Sequence, residues 1–297
     1  MYSPRIAVVG MEELPALTAW RLRQAGYEAV ALAEVRGFDF LRLVGAFDVC
    51  HAVFPTPYFK WVWPLRARGV RFVAHWIGTD LYQVKTRPLT RLLFRLAAPS
   101  IAAHVADAPW LVEDLARWGI RATLVPTVSG RMDDAGPLPL PDEFALLAYV
   151  PDDRREFYGW PTVKAITEAY PDVRIHVVGG NGPGGAPPNV VFHGLTDEME
   201  PIYGAASALV RPTVHDGLSQ MVLEALIRGR QVIWSREFPE CIYATTVDDF
   251  VRAFGALRAD CPFNEAGALL AAENYSPAAT VQGLKGFYSR LFPNYGR

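Results

Sequence analysis

Residues 208–235, ALVRPTVHDGLSQMVLEALIRGRQVIWS, place two short apolar runs on either side of a helical pattern. The first run covers 208–211 and is followed by a polar loop, a predicted helix at 219–228 and a second run at 231–235. Apolar strands separated by a helix of this length are typical of a βαβ unit in a parallel sheet. The segment therefore predicts an α/β fold.

The same alternation of strands and helices extends over the rest of the chain. Further strands are predicted at 5–10, 28–33, 49–54, 71–76, 102–106, 122–126, 144–150, 174–178, 190–193 and 241–244. Helices are predicted at 14–25, 59–68, 87–97, 110–118, 162–169, 199–206 and 247–257, with a last amphipathic stretch at 278–291. This pattern predicts doubly wound parallel sheets, in which ligands bind beyond the carboxyl ends of the strands.

Length and composition indicate two domains. The chain has 297 residues, 51% hydrophobic and 20% charged, which excludes a disordered or low-complexity protein. We predict a Rossmann-like domain at 1–130, a Pro- and Gly-rich linker at 131–143 and a second Rossmann-like domain at 144–276. A C-terminal helix is predicted at 277–297, for which a return to the first domain is one option. We expect the two domains to face each other across a cleft that holds the chemistry.

The charges are distributed unevenly along the chain. Residues 1–131 carry 16 Lys and Arg against 10 Asp and Glu, whereas 132–297 carry 13 against 21. Two basic segments, 58–68 and 85–96, either dock on an anionic membrane or form core with a solvated basic edge. In the docking interpretation the inserted side chains are Trp61, Trp63, Leu92, Leu93 and Phe94. No nucleic-acid-binding motif accompanies the basic residues, so no nucleic acid partner is expected.

Location and metal content are also predicted from the sequence. No apolar run reaches 18 residues and the N-terminus does not resemble a signal peptide, so we expect a cytoplasmic protein, with the inner face of the membrane as a further option. The six histidines lack the spacing of metal ligands, and no metal site is expected.

The loop after the strand at 208–211 carries the first candidate site. Gly217 allows a ligand to approach the backbone closely, and the free amides at the start of the following helix favour an anion there. Asp216 in the loop and Glu224 on the helix can accept hydrogen bonds from hydroxyl groups. The alternative is an ordinary amphipathic helix whose first turn is capped by a Ser or Asp side chain.

This segment resembles the nucleotide-sugar signature of retaining glycosyltransferases of the GT-B fold, group 1 and family 4-like, in which seven residues separate two acidic ones. Asp216 and Glu224 have this spacing, with Asp in place of the usual first Glu. The resemblance implies that Asp216 meets the hydroxyls of the donor sugar and that Glu224 meets the ribose. The amides of Gly217, Leu218 and Ser219 would meet the diphosphate.

The segment RFVAHWIGTD, residues 71–80, is similar to a His-x-x-Gly-Ser/Thr-Asp segment of the same superfamily. The resemblance implies an acceptor-side group that contacts sugar or acceptor, namely His75, Trp76, Gly78, Thr79 and Asp80, with His75 among the catalytic residues. The alternative interpretation makes His75 and Trp76 strand-end residues of the core and Asp80 the cap of the next helix.

Three further donor-side segments follow strands. Gly179 and Gly180, and His193 with Gly194, resemble strand ends that contact the nucleotide base, although a solvated turn is the alternative.

The third segment, 149–160, reads YVPDDRREFYGW. Members of the family place an Arg and a Lys-Gly pair here, and both cations neutralise the donor diphosphate. This chain has Arg154 and Arg155, but Tyr158 stands where the Lys is expected. One cation is therefore missing unless an Arg or Lys164 replaces it.

The resemblance implies a glycosyltransferase that moves a sugar from a nucleotide diphosphate sugar to a glycan, lipid-linked or small-molecule acceptor, with retention and without a metal or other cofactor. Two alternatives stay open. One is a catalytically silent relative that binds the nucleotide sugar and acts as a partner subunit. The other is a nucleotide-sugar 2-epimerase, for which His75, Asp80 and His215 are the candidate acid and base.

Overall fold

A computed structural model describes residues 4–32 and 37–293 of the chain. Residue 33 of the predicted second strand and residues 294–297 of the predicted C-terminal segment lie outside this part. The chain forms two compact units: residues up to Gly130 together with those from Tyr275 onward, and residues Arg131–Asn274.

The first unit is built on a six-stranded parallel sheet with the order β2-β1-β3-β4-β5-β6. Its strands are β1 Arg5–Val9, β2 Glu28–Ala31, β3 Val49–Val53, β4 Arg71–Trp76, β5 Ala103–Ala106 and β6 Ala122–Leu124. Its first six helices are α1 Leu14–Gln24, α2 Gly37–Val44, α3 Val62–Arg66, α4 Thr79–Thr86, α5 Pro88–Ala97 and α6 Pro109–Ala116. The helix predicted at 59–68 is divided into a 3-10 helix at Thr56–Trp61 and α3.

The second unit repeats this architecture with the strand order β12-β11-β10-β7-β8-β9, again all parallel. Its strands are β7 Ala145–Tyr149, β8 Arg174–Val178, β9 Val190–Phe192, β10 Ala208–Arg211, β11 Gln231–Trp234 and β12 Ile242–Tyr243. Its helices are α7 Trp160–Ala169, α8 Glu200–Gly204, α9 Gln220–Ile227, α10 Val247–Ala259 and α11 Glu265–Asn274. The predicted α/β class with two doubly wound parallel sheets is confirmed.

The segment 208–235 forms the crossover that its sequence pattern predicts. β10 pairs with β11 in parallel register, with Ala208 opposite Gln231 and Arg211 opposite Trp234, and α9 connects them. Leu209, Val210, Val232 and Ile233 are buried, as expected for strands that helices cover on both faces.

The segment 131–143, predicted as a linker, packs within the second unit. The guanidinium of Arg230 donates hydrogen bonds to the carbonyl oxygens of Leu138 and Pro139, at 3.2 and 2.7 Å. Because Arg230 is itself 1% exposed, these bonds satisfy a buried charge and attach the segment to the unit.

The last helix, α12, covers Pro277–Leu291 and packs in the first unit. Leu284, Phe287 and Tyr288 are buried on its inner face, and the Tyr288 ring lies 5.1 Å from that of Tyr27 next to β2. None of the helices described has both the length and the apolar composition that crossing a bilayer requires.

Candidate functional site

The parallel strands of the second unit bring the predicted donor-side residues to one edge of its sheet. Arg154 and Arg155 follow β7, Gly179 and Gly180 follow β8, His193 and Gly194 follow β9, and Asp216 to Ser219 follow β10. β7 and β10 are neighbours whose connections leave in opposite directions, towards β8 and β11. Ligands of doubly wound sheets bind at such a switch point.

A pocket of about 300 Å3 opens at this edge, and Glu224 is one of its lining residues. The Glu224 side chain is fully buried, and its Oε2 accepts a hydrogen bond of 3.0 Å from the hydroxyl of Tyr203. Arg228 donates to the Glu224 carbonyl oxygen at 2.8 Å, which fixes the backbone beside it. Glu224 is therefore a pre-positioned carboxylate at the wall of a small cavity.

The rim of the same pocket contains an exposed ion pair. Arg131 Nη2 lies 3.0 Å from Asp197 Oδ1, and both residues line the pocket with Tyr149 and Gly179. Gly179 has a φ of +94°, and a Cβ there would lie 2.6 Å from the Tyr149 ring. Only glycine fits beneath this ring.

The carboxylate of Asp216 is held by a buried arginine. Arg211 Nε, at the end of β10, donates to Asp216 Oδ2 at 2.8 Å, and the two side chains are 8% and 15% exposed. The Thr213 hydroxyl donates to the same oxygen at 3.4 Å. Burial lowers the pKa of Arg211, but the attraction and hydrogen bond of Asp216 outweigh it, so the pKa lies above its ordinary value. One oxygen of Asp216 is thus committed to the protein.

Tyr158, at the position where the resemblance implies Lys, lies between two guanidinium groups. The Arg211 guanidinium carbon lies 5.1 Å from the centre of its ring and that of Arg154 lies 5.2 Å away. These are cation–π distances. Two positive charges therefore lie beside the Tyr158 ring, although Arg211 is already paired with Asp216.

Arg155 makes a different set of contacts. It pairs with Asp152 at 2.6 Å and donates to the Gly182 carbonyl oxygen at 3.1 Å. Asp152 in turn accepts hydrogen bonds from the backbone amides of Asn181 and Gly182, which hold its pKa below the usual value. Arg155 therefore ties the loop after β7 to the loop after β8.

The N-terminus of α9 lacks the side-chain cap that the alternative interpretation requires. Ser219 occupies the N-cap position, but its hydroxyl accepts no hydrogen bond from the first turn. Its Oγ is buried and has no hydrogen-bond partner among the described residues. Gly217 and Leu218 before it are also buried. This hydroxyl is therefore available to a ligand at the start of α9.

His193 and Gly194 lie at the end of β9, next to Gly179. The Gly179 amide donates to the Gly194 carbonyl oxygen at 2.7 Å. His193 Nε2 lies 2.9 Å from His176 Nδ1, and burial lowers the pKa of both rings. The His193 ring thus contacts a side chain of the neighbouring strand β8.

The acceptor-side segment of the first unit is largely enclosed. His75, Trp76 and Asp80 are 2%, 0% and 0% exposed. The Trp76 indole N–H donates to His104 Nδ1 at 3.1 Å. The Asp80 carboxylate accepts hydrogen bonds from the amides of residues 77, 78 and 81, yet its burial raises the pKa to about 7. These contacts match the alternative in which the residues form a strand end and a helix start.

His75 belongs to a buried chain of hydrogen bonds. Its Nδ1 lies 3.0 Å from His51 Nε2, and its Nε2 lies 3.1 Å from the Thr127 hydroxyl. His51 Nδ1 continues the chain to the Tyr288 hydroxyl of α12 at 2.8 Å. The chain links β3, β4 and α12 through polar groups in the core.

Three residues of the donor-side edge escaped sequence analysis: Arg131, Tyr203 and Arg211. Arg211 could have been found from one feature of the sequence. A charged residue that ends the apolar run 208–210 and precedes a proline marks the end of a strand. Tyr203 and Arg131 lie in segments that read as an ordinary helix and a linker. Among the described residues no His, Cys, Asp or Glu side chains are grouped as a metal site would require.

Burial of His75 predicts a pH-dependent stability. Burial lowers its pKa from 6.5 to about 4, so on acidification the unfolded chain takes up this proton first and stability falls between pH 6.5 and 4. Urea unfolding of the wild type and of His75→Gln over this range measures the effect. The free energy of unfolding should fall more steeply for the wild type, by about 1.4 kcal/mol per pH unit. Parallel curves would contradict the buried, neutral histidine.

The chain resembles known proteins in sequence over part of its length and in fold over nearly all of it. Residues 159–268 match the family model described as Glycosyl transferases group 1. No curated protein sequence matches the chain significantly.

Solved structures share the fold at low sequence identity. Sucrose-phosphate synthase from Thermosynechococcus elongatus has 13% identity and a TM-score of 0.75 over 97% of this chain and 99% of that one. HepE from Anabaena in complex with UDP has 10% identity and a TM-score of 0.75 over 96% and 100%, and it was also solved with UDP-glucose. The apo lipopolysaccharide outer core galactosyltransferase WaaB has 13% identity and a TM-score of 0.68 over 97% and 99%.

The matched segment 159–268 begins at Gly159 after Tyr158 and includes the loop after β10 and all of α9. The resemblance inferred from sequence is confirmed: the chain has the GT-B fold, and its second unit carries the sequence pattern of the group 1 glycosyltransferases.

Proposed function

We propose that this protein transfers a sugar from a nucleotide diphosphate sugar to an acceptor hydroxyl, with retention of the anomeric configuration. The observation that carries the proposal is the buried carboxylate of Glu224 in the wall of a pocket at the switch point of the second sheet. Glu224 lies within the segment that matches the group 1 family. HepE, which shares the fold, was solved with UDP and UDP-glucose, and this supports a nucleotide-sugar donor.

Glu224 binds the ribose in this proposal. A carboxylate accepts hydrogen bonds from two vicinal hydroxyls, and such charge-assisted bonds are the strong ones. Tyr203 already donates to Oε2 and orients the group, and in this proposal the ribose hydroxyls donate to the same carboxylate. The base then lies beside the backbone of Gly179, Gly180, His193 and Gly194.

The diphosphate binds at the N-terminus of α9. The amides of Gly217, Leu218 and Ser219 and the unpartnered Ser219 hydroxyl supply donors, and the helix dipole favours negative charge at this end. These groups are fixed before the ligand arrives, so they stabilise the leaving phosphate without reorganisation.

In this proposal Arg154 and Arg211 supply the two positive charges that the resemblance to the family implies here. Arg154, whose side chain is about half exposed, is free to turn from Asp153 towards the diphosphate. Arg211 holds Asp216, and the Asp216 carboxylate accepts hydrogen bonds from the hydroxyls of the donor sugar in this proposal. Arg155 positions the loops after β7 and β8 through Asp152, so its part in donor binding is indirect.

In the reaction the bond between the sugar C1 and the phosphate oxygen breaks, and a bond from C1 to the acceptor oxygen forms on the same face. The acceptor proton passes to the departing phosphate, so no protein base is needed. Amides and arginines balance the charge of the phosphate, and the mechanism proposed here uses no metal. We place the reaction in the cytoplasm, where nucleotide sugars are made.

On the acceptor side, Gly78 and Thr79 start α4 at the carboxyl edge of the first sheet, beside the enclosed His75, Trp76 and Asp80. We propose that this edge receives the acceptor and that the enclosed residues shape it. The epimerase alternative needs an acid and a base that reach the sugar. The burial of His75 and Asp80 argues against it, because of the three candidates only His215 is partly exposed.

Product analysis separates the candidate functions. We would incubate the protein with a UDP-sugar, with and without candidate acceptor glycans and lipid-linked sugars, and follow the anomeric signals by NMR. The proposal predicts transfer to an acceptor or, without one, slow hydrolysis of the donor. In both cases the released or transferred sugar should first have the anomeric configuration that it had in the donor. A sugar epimerised at C2 without acceptor would indicate the epimerase, and an unchanged donor that nevertheless binds would indicate the silent relative.

Removal of the Glu224 charge should weaken donor binding. Glu224→Gln keeps the volume and the acceptor for Tyr203 but loses the charge-assisted hydrogen bonds, so the dissociation constant of the nucleoside diphosphate should rise about tenfold or more. Isothermal titration calorimetry with UDP, GDP, ADP and TDP measures the change. Glu273→Gln on the exposed face of α11 is the matched control. Equal affinities for all three proteins would refute the ribose assignment.

Arg154 should contribute to the binding of the phosphate groups and not to the binding of the nucleoside. Arg154→Gln should raise the dissociation constant of the nucleoside diphosphate several-fold and leave that of the corresponding nucleoside unchanged, because only the former carries the charge. Arg252→Gln is the control, since Arg252 is an exposed arginine paired at 3.3 Å with Asp249, much as Arg154 is paired at 3.5 Å with Asp153. A similar loss for both ligands would show that the loop itself had been disturbed.

A further inference from the structure

One face of α5 exposes a row of leucines. Leu89, Leu92 and Leu96 are 69%, 54% and 58% exposed, and their spacing of three and four residues places them on a single side of the helix. The opposite side packs inward through Phe94 and Ala97, which are 5% and 1% exposed. The leucine row is therefore exposed on a helix whose opposite side packs in the first unit.

A tryptophan extends this row. Trp63 of α3 is 55% exposed, and its indole N–H donates to the Leu96 carbonyl oxygen at 3.0 Å. The hydrogen bond holds the ring beside the C-terminal end of the leucine row. We call these four side chains, Leu89, Leu92, Leu96 and Trp63, the apolar ridge.

The ridge lies in a basic stretch of the chain. Residues 58–100 contain eight Lys and Arg and a single acidic residue, Asp80, which is buried. Arg91 and Arg95 lie one turn apart on the flank of α5 next to the leucines, and both are exposed. Asp114 of α6, an acidic group close to Lys85, is paired with both Lys85 and Arg117. The stretch of chain that carries the ridge thus has a net positive charge.

Beyond the arginine flank the surface has a concave site. A pocket of about 570 Å3 is lined by Lys85, Arg91 and Arg95 and by apolar side chains that include Phe94 and Trp118. Arg91 is held by a hydrogen bond of 3.2 Å from its Nε to the Val84 carbonyl oxygen. Three cations around one apolar cavity suit a phosphate group that carries hydrocarbon.

We propose that this face of the first unit docks on the surface of an anionic lipid bilayer, with the apolar ridge among the acyl chains and Arg91 and Arg95 at the headgroup phosphates. Helices that lie in the interface combine an apolar face with Lys and Arg on the polar flank, and Trp is enriched at this depth. The excess of positive charge selects lipid phosphates over a neutral surface.

The docking residues differ from those that the sequence suggested. Phe94 is buried, and Trp61 and Leu93 are only partly exposed, so they belong mainly to the unit's own packing. Of the five side chains expected to insert, only Trp63 and Leu92 belong to the apolar ridge, and Leu89 and Leu96 complete it. The inference does not depend on the proposed function, since it concerns only the first unit.

Vesicle co-sedimentation tests the proposal. The wild type should bind vesicles of phosphatidylcholine with 30% phosphatidylglycerol, much less to pure phosphatidylcholine, and should be released when salt is raised to 0.5 M. Arg91→Gln with Arg95→Gln should weaken binding roughly 30-fold, because each basic side chain at an anionic surface adds to the affinity. Leu89, Leu92 and Leu96 all changed to Gln should weaken it about tenfold or more.

Matched controls and contrary outcomes complete the experiment. Leu269→Gln replaces a leucine of α11 that is 58% exposed, as Leu96 is, and should bind as the wild type does. All variants alter exposed side chains, so circular dichroism and thermal unfolding should be unchanged. Absence of wild-type binding, binding that is insensitive to the leucine changes, or equal binding to neutral vesicles would each overturn the proposal. So would a wild-type dimer that becomes monomeric when the leucines are changed, because the ridge would then bind a second copy.

Discussion

The donor side of this protein depends on a buried ion pair. Arg211 and Asp216 are 8% and 15% exposed and 2.8 Å apart, and removal of one partner from such a pair costs about 3–5 kcal/mol. The pair closes the loop between β10 and α9, and the Val214 amide binds this loop to Phe157 of the neighbouring loop at 3.0 Å. Gly159, with a φ of +74°, lets the same two loops touch, because a Cβ would lie 2.2 Å from the Pro212 carbonyl oxygen.

This constraint decides where the α9 amides and Glu224 lie. Because the loop is fixed at both ends, α9 begins at the carboxyl edge of the sheet with the hydroxyl of Ser219 unused and Glu224 against Tyr203. Preorganisation of this kind lowers the cost of binding, since the groups are ordered before the ligand arrives. The ring of Tyr158 lies in the same place, between two guanidinium groups.

Much of the architecture could be predicted from the sequence, because short apolar runs and helical patterns alternate and both sheets are covered on both faces. The donor-side residues could be predicted to meet because each follows a strand of one parallel sheet. Three helices were missed: α2 and α4 have only eight residues each, and α11, EAGALLAAEN, has no clear apolar stripe. Partners distant in sequence also escaped prediction, such as Tyr203 for Glu224, as did the burial that encloses His75 and Asp80 in hydrogen bonds.

The central claim is that the edge of the second sheet binds a nucleoside diphosphate between Glu224 and the start of α9. The most direct test is a crystal structure of the protein grown with whichever of UDP, GDP, ADP and TDP binds most tightly. The account predicts ribose hydroxyls within hydrogen-bond distance of the Glu224 carboxylate and phosphate oxygens at the amides of Gly217, Leu218 and Ser219. A nucleotide bound elsewhere, or an empty pocket at saturating concentration, would contradict it.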